Sequence, residues 1–217
     1  MTMELRLVSV NVGMPRTIGL LHGQPVLSGI AKVPLESSTV FVSTTNIDGD
    51  GQADLSVHGG VDKAVYCYPT DHWPWWEREK AFPCRPAAFG ENLTVEGADE
   101  NEIGIGDRFS WGEVVLEVSQ PRAPCFKFAI YANRSDAPAL MTASGRSGWY
   151  FRVIQEGLAP VGASVLARES VAGGPSVREA FFAALYAHAD REMLERVADT
   201  PALASSWRSA VARRLRA

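Results

Sequence analysis

The stretch Trp111-Gly112-Glu113-Val114-Val115-Leu116-Glu117-Val118 decides the fold class. A turn-prone Gly-Glu pair leads into a β-branched run, the pattern of a turn opening a strand. Similar runs lie on both sides. Leu5-Arg6-Leu7-Val8-Ser9-Val10 alternates, and Val40-Phe41-Val42, Val65-Tyr66-Cys67-Tyr68 and Asn92-Leu93-Thr94-Val95 are short and β-prone. Trp149-Tyr150-Phe151-Arg152-Val153-Ile154 adds an aromatic and β-branched run. Glycines and prolines separate these runs, so the spacing predicts an all-β barrel or sandwich. Helical interruptions are expected from Thr70 to Lys80 and from Ser135 to Ala143.

The character changes near residue 170. After Gly173-Gly174-Pro175, Ser176-Val177-Arg178-Glu179 fits a capping box and an Ala/Phe/Leu run follows. Asp190 is placed to cap a second helix with Met193, Leu194 and Val197 on one face. Thr200-Pro201 suggests the start of a third, with Leu203, Trp207, Ala210, Val211 and Leu215 on its apolar side. The expected organisation is a β domain over residues 1–171 and a three-helix module over 172–217. Arg208, Arg213, Arg214 and Arg216 near the chain end are read as a solvated helix terminus that complements the macrodipole.

With 217 residues, the chain suits one large domain plus a small appendage. A net charge of −4 argues against nucleic acid as a partner, since duplex binders carry a basic face. No apolar run approaches the roughly 20 residues of a membrane span. Met-Thr-Met-Glu-Leu-Arg-Leu-Val lacks the basic and apolar regions of a secretory signal. The three cysteines, Cys67, Cys84 and Cys125, cannot all pair and form no CxxC. A reduced, cytoplasmic protein is expected, in which one cysteine acts as a thiolate.

Four segments carry candidate chemistry. In Gln120-Pro121-Arg122-Ala123-Pro124-Cys125-Phe126-Lys127, two prolines stiffen the backbone and two cations flank a thiol. Such cations favour the thiolate, which is both nucleophile and soft metal ligand. In Ser56-Val57-His58-Gly59-Gly60-Val61-Asp62-Lys63, two glycines permit close approach to a ligand, flanked by His58, Asp62 and Lys63. Phe89-Gly90-Glu91-Asn92-Leu93 presents polar groups at a strand entrance, and Gly145-Arg146-Ser147-Gly148 is a polar loop. Asp48-Gly49-Asp50-Gly51 begins like a calcium loop, but its twelfth position is Gly59 rather than Glu, so an EF-hand is rejected. His72-Trp73-Pro74-Trp75-Trp76 is read as packing, and Cys67 and Cys84 receive no role.

Taken in chain order, from the His58 loop through Phe89–Leu93, Gly106-Asp107 and the cysteine motif to Gly145-Arg146-Ser147-Gly148-Trp149, these segments resemble the MOSC domain family, named for the C-terminal domain of molybdenum cofactor sulfurases. The match is nearest to the YiiM-like branch, the 6-hydroxylaminopurine resistance proteins, which also carries a three-helix C-terminal appendage. Val61 stands where many relatives have proline, and Phe126 where many have Trp or Tyr. The resemblance implies a mainly β MOSC-type barrel that holds the molybdenum cofactor, molybdenum–molybdopterin, with Cys125 as the metal ligand. Gly59, Gly60, Lys63, Asn92, Arg122, Lys127, Arg146, Ser147 and Lys32 are the expected cofactor contacts, with Thr44 a further candidate.

The implied activity is reduction of N-hydroxylated compounds such as hydroxylaminopurines and hydroxylamines, which detoxifies base analogues. His58 or Asp62 is expected to relay protons. No GxGxxG motif is present, so electrons are expected from a separate reductase. The helical module is read as a docking surface for that reductase, a homodimer contact or a stabilising cap. The alternative is a molybdenum cofactor or sulfur carrier with Cys125 as its persulfide-bearing thiol. A cysteine hydrolase built on Cys125 and His58 lacks an orienting third group in the sequence.

Overall fold

The computed structural model describes residues 3–54, 58–186 and 189–216; Ser56-Val57 of the glycine-loop segment lies outside them. In chain order the elements are β1 (Glu4–Val12), β2 (Arg16–Leu21), β3 (Gln24–Ser28), β4 (Val33–Pro34), β5 (Thr39–Val42), β6 (Val65–Pro69), α1 (Trp73–Lys80) and β7 (Leu93–Glu96). There follow β8 (Arg108–Trp111), β9 (Val114–Pro121), α2 (Phe126–Tyr131), α3 (Ala137–Ser144), β10 (Trp149–Gln155), β11 (Gly157–Pro160) and β12 (Val165–Ser170). The last three are α4 (Val177–Leu185), α5 (Arg191–Ala198) and α6 (Ser205–Leu215).

Seven strands close into a barrel in the order β12-β8-β9-β10-β6-β7-β1, with β1 returning to β12. The β6–β7 pairing is parallel and the others are antiparallel. The Trp111-Gly112-Glu113-Val114 turn joins β8 to β9, as the opening stretch predicts. Alternation sends Val65 and Cys67 of β6, Leu116 and Val118 of β9, and Trp149 and Phe151 of β10 into one buried cluster. So narrow a barrel is filled by its own side chains. Every residue of β6 is buried, because its outer face is covered too. There Tyr66 and Tyr68 pack with Trp76, Phe82, Phe89 and Phe128 in a second cluster under α1 and α2. The tryptophan cluster is packing in the sense expected: Trp76 is fully buried and its Nε1 donates to Tyr68 Oη at 2.6 Å.

The helical module shares the barrel's core, since Phe181, Val197, Trp207 and Val211 belong to the same cluster as Leu116 and Val118. Backbone bonds also join them: Val177 N donates to Ile103 O and Ala204 N to Ser119 O. The capping box forms as read, with Glu179 N donating to Ser176 Oγ and Ser176 N to Glu179 Oε2. Asp190 caps α5 by accepting from Met193 N. Two expectations need correction. The third helix starts at Ser205 rather than at Thr200-Pro201, because Thr200 to Leu203 closes a turn first, with Leu203 N donating to Thr200 O. Phe126–Tyr131, unassigned in the sequence, is a helix. Among the described residues no helix is long and apolar enough to cross a membrane.

The Phe89-Gly90-Glu91-Asn92 turn hangs on a buried carboxylate. Glu91 Oε1 accepts from Ala87 N and Thr94 Oγ1, and Oε2 accepts from Phe89 N. Gly90 has φ of 80°, and a Cβ there would lie 2.3 Å from Ile30 Cγ1, so only glycine lets the turn close against Ile30. Burial drives the Glu91 carboxyl up to about 7, against these hydrogen bonds, which favour its ionised form.

Two stability experiments follow from these contacts. Ser176→Ala removes the cap of α4 and is expected to cost about 1 kcal/mol in urea unfolding. For Glu91 the folded pKa lies above the unfolded one, so the native state keeps a proton that the unfolded chain has lost between pH 4.5 and about 7. Its contribution is fully present below that window and is lost as pH rises through it. The stability of the wild type relative to Glu91→Gln should therefore fall across the window by on the order of 3 kcal/mol. A difference that stays flat with pH would contradict the assignment.

Candidate functional site

Strand β9 carries a bulge where it meets β10: Phe151 faces Val118 and Tyr150 faces Gln120, which leaves Ser119 as the extra residue. Beyond the bulge the chain leaves the barrel through Pro121 and Arg122 toward Cys125, the N-cap of α2. A cavity lies here on the outer wall of the barrel, against Tyr66 of β6 and Tyr150 of β10, whose ring centroids are 5.1 Å apart. The barrel interior is closed by its core. The loops around residues 28–32, 50–53 and 58–63 complete the cavity's rim.

Eight of the residues singled out in the sequence meet at this cavity: Cys125, His58, Gly59, Lys63, Lys32, Asn92, Arg122 and Lys127. Cys125 Sγ lies 3.8 Å from His58 Nε2. Burial pushes the thiol up, but the His58 ring, the Arg122 guanidinium and the Lys127 backbone N–H outweigh it and bring it down to about 7. The other two thiols move the opposite way. Burial raises Cys67 well above its usual range and lifts Cys84 to about 12. Arg122 is buried, with its guanidinium 5.0 Å from the Tyr66 ring centroid and 4.9 Å from that of Phe128. Burial also lowers the Lys63 amine, against the pull of Asp62.

Lys32 and Asn92 reach the cavity through a residue that the sequence reading set aside with the rejected calcium loop. Asp50 is buried and ion-paired to Lys32, accepts from Gly13 N at 2.8 Å, and accepts from Asn92 Nδ2 at 2.9 Å. Asn92 in turn accepts from Tyr66 N, so this network ties the loop to β6. Burial lowers the Lys32 amine while Asp50 raises it. The repeated Asp-Gly of the sequence was the available signal, and it marks a turn whose acid points inward.

Four expected residues stand elsewhere. Gly60 does not line the cavity. Asp62, expected as a proton relay, is outside the lining and accepts from Arg152 Nη2 at 2.7 Å and Nε at 3.0 Å, which anchors it there. Arg146 lies 4.5 Å from the Trp75 ring centroid. Ser147 is fully buried, with its hydroxyl donating to Gly148 O and its carbonyl accepting from Tyr66 Oη. Thr44 is also remote from the cavity, with its N–H donating to Glu156 Oε1. Phe126 is half exposed beside Cys125 and does not line the wall.

Comparison with known proteins bears on this geometry. The MOSC domain matches residues 54–166, and the YiiM-like 3-alpha helix domain matches residues 175–217. YflK of Bacillus subtilis (strain 168) is 40% identical over 202 residues, covering 93% of this chain and 90% of that one. YiiM of Escherichia coli (strain K12) is 36% identical over 191 residues, 86% of this chain and 83% of its own. A protein named a reductase in Gibberella moniliformis (strain M3125 / FGSC 7600) is 40% identical over 145 residues, 64% of this chain and 25% of that one. Among solved structures, YiiM from Geobacillus stearothermophilus superposes with a TM-score of 0.79 at 33% identity, covering 97% of this chain and 99% of its own. The β domain and the C-terminal helices are thus covered by these matches, and the chain belongs to the MOSC domain family in its YiiM-like form.

Proposed function

We propose that this chain is an oxidoreductase that holds a molybdenum–molybdopterin cofactor in the outer-wall cavity and reduces N-hydroxylated compounds to amines. The observation that carries this reading is a low-pKa thiol, Cys125, at a cavity lined by Arg122, Lys63 and Lys127. A third thiolate suits a soft metal already held by a dithiolene, and the cations suit the phosphate of the pterin. His58 Nδ1 is buried and without a partner among the described residues, which is a group that a bound ligand would satisfy. The MOSC family is associated with this cofactor, and one relative is named a reductase.

When bound, the cofactor supplies a two-electron centre for N–O bond reduction. In balance, R–NHOH takes up two electrons and two protons and leaves as R–NH2 and water. Cys125 would hold the metal. Arg122, buried between two aromatic rings, keeps a fixed positive charge for the anionic end of the pterin. Tyr66 and Tyr150, with rings tilted 34° to one another, offer an aromatic wall that orients a heterocycle and excludes water. His58 Nε2 lies 3.8 Å from the sulfur, in place to hand on a proton there. Asp62 is committed to Arg152, so the proton-donating role falls to His58. Electrons come from a separate reductase, because the sequence carries no nucleotide-binding glycine motif.

Full-length protein made in a cofactor-producing host is expected to carry molybdenum and pterin. With a strong artificial reductant it should convert 6-hydroxylaminopurine to its amine. Cys125→Ala should lose the metal together with the activity. Loaded wild-type protein that leaves the substrate unchanged would overturn the reading, and a labile persulfide on Cys125 without turnover would point to sulfur carriage instead. In cofactor-free protein, iodoacetamide labelling should be confined to Cys125 near neutral pH and follow a titration centred at about 7. His58→Gln should move that midpoint upward, and an unchanged midpoint would remove His58 from the sulfur's environment.

A further inference from the structure

The cavity's loop groups, His58, Gly59 and Lys63, come from one segment whose anchor lies outside the cavity. Asp62 is the fixed point. Its carboxylate takes two guanidinium N–H bonds from Arg152, and its carbonyl accepts from Ser119 Oγ at 2.7 Å. Ser119 is the extra residue of the β9 bulge, so the irregularity that redirects the chain toward Cys125 also pins the opposite loop. Arg152 stands two residues after Tyr150 on the same outer face of β10 and does not itself line the cavity.

Arg152 is held in turn. Its Nη1 donates to Glu117 Oε1 at 2.9 Å, and Glu117 Oε2 accepts from Arg108 Nε at 2.7 Å. Arg152 and Arg108 both face Glu117 in the strand register. The ladder Arg108–Glu117–Arg152–Asp62 therefore crosses three strands and ends on the loop. Glu117 is buried and Arg152 and Asp62 are partly so, which screens these pairs less than exposed ones. Between the anchor and His58 stand Gly59 and Gly60, with φ of 84° and 83°. These glycine conformations turn the chain back from the clamp toward the sulfur, and on its other side His58 N donates to Asp54 O at 2.9 Å, so the segment is held between that bond and the clamp.

We infer that Arg152 is a positioning residue: by clamping Asp62 it fixes the loop that sets His58 against the Cys125 sulfur and Lys63 in the cavity wall. Asp62 also presents its charge to Lys63, and the clamp makes a residue remote from the sulfur necessary to the arrangement of the cavity. The inference deepens the proposed function, but it concerns the chain without cofactor and is testable there.

The probe is the His58 ring. In cofactor-free, full-length protein at mildly alkaline pH, nitrogen-15 NMR should show His58 as a single Nε2–H tautomer, identified by its loss in His58→Gln. Arg152→Gln should convert it to a tautomer mixture while circular dichroism stays native, and Arg152→Lys should restore the wild-type pattern in part. Asp62→Asn, which leaves the Arg152–Glu117 pair in place, serves if Arg152→Gln fails to fold, and should give the same mixture. In the His58→Gln background, Arg152→Gln should cause no further change in Cys125 labelling. A wild-type His58 tautomer in folded Arg152→Gln or Asp62→Asn protein would overturn the inference. Failure of hydroxylaminopurine reduction with this NMR result intact would instead sink only the proposed reaction.

Discussion

A closed barrel of seven strands has room inside for its own side chains and little else, and the rest of this molecule is arranged around that constraint. Trp149, Phe151, Trp111 and Phe109 are fully buried in the interior cluster. A ligand site must therefore be built on the outer wall, and an outer wall needs a cover. The aromatic layer of Tyr66, Tyr68, Trp76, Phe89 and Phe128 supplies it and leaves β6 buried on both faces. The cavity opens where that cover stops, between α2 and the loops around residues 28–32, 50–53 and 58–63.

Placing a thiol at the edge of an apolar layer has an electrostatic consequence. Burial opposes ionisation of all three cysteines, yet only Cys125 overcomes it. The difference lies in its neighbours: a histidine ring at 3.8 Å, a buried guanidinium and the first turn of a helix. Lys32 adds little free charge to this set, because Asp50 neutralises it and is itself fixed by Asn92. The cavity thus divides into a structural half, where charges are paired, and a reactive half around Cys125 and Arg122.

The sequence displayed the local rules and concealed the long-range ones. Short strands, the Trp111–Val114 turn and the Ser176 capping box are encoded by neighbours in the chain, so alternation and turn chemistry reveal them. Cys125 and Arg122 were also legible, since their cations and prolines are adjacent to them. Asp50 was not, because its partners Lys32 and Asn92 lie 18 and 42 residues away. Asp62 misled for the same reason: beside His58 in sequence it looks like a relay, but Arg152, 90 residues on, claims it. The six-residue α2 escaped notice because it is too short to show a period and is held by its packing on the aromatic layer.

The C-terminal helices gain meaning from the same kind of remote bond. Arg178 N, in the first turn of α4, donates to the Glu100 carbonyl. The buried Glu100 side chain accepts from Gly148 N at 2.6 Å and lies 2.6 Å from His72 Nε2. Gly148 O then accepts from Arg122 N, the residue that sets the cavity's fixed charge. Three backbone-directed bonds thus run from the helical module to the cavity by way of one carboxylate. Because α4 also shares the barrel's core, the module cannot separate without exposing Phe181 and Val177. A module whose apolar face and first turn are engaged in this way acts first as part of the wall that holds Arg122, and any docking role must use the surface that remains.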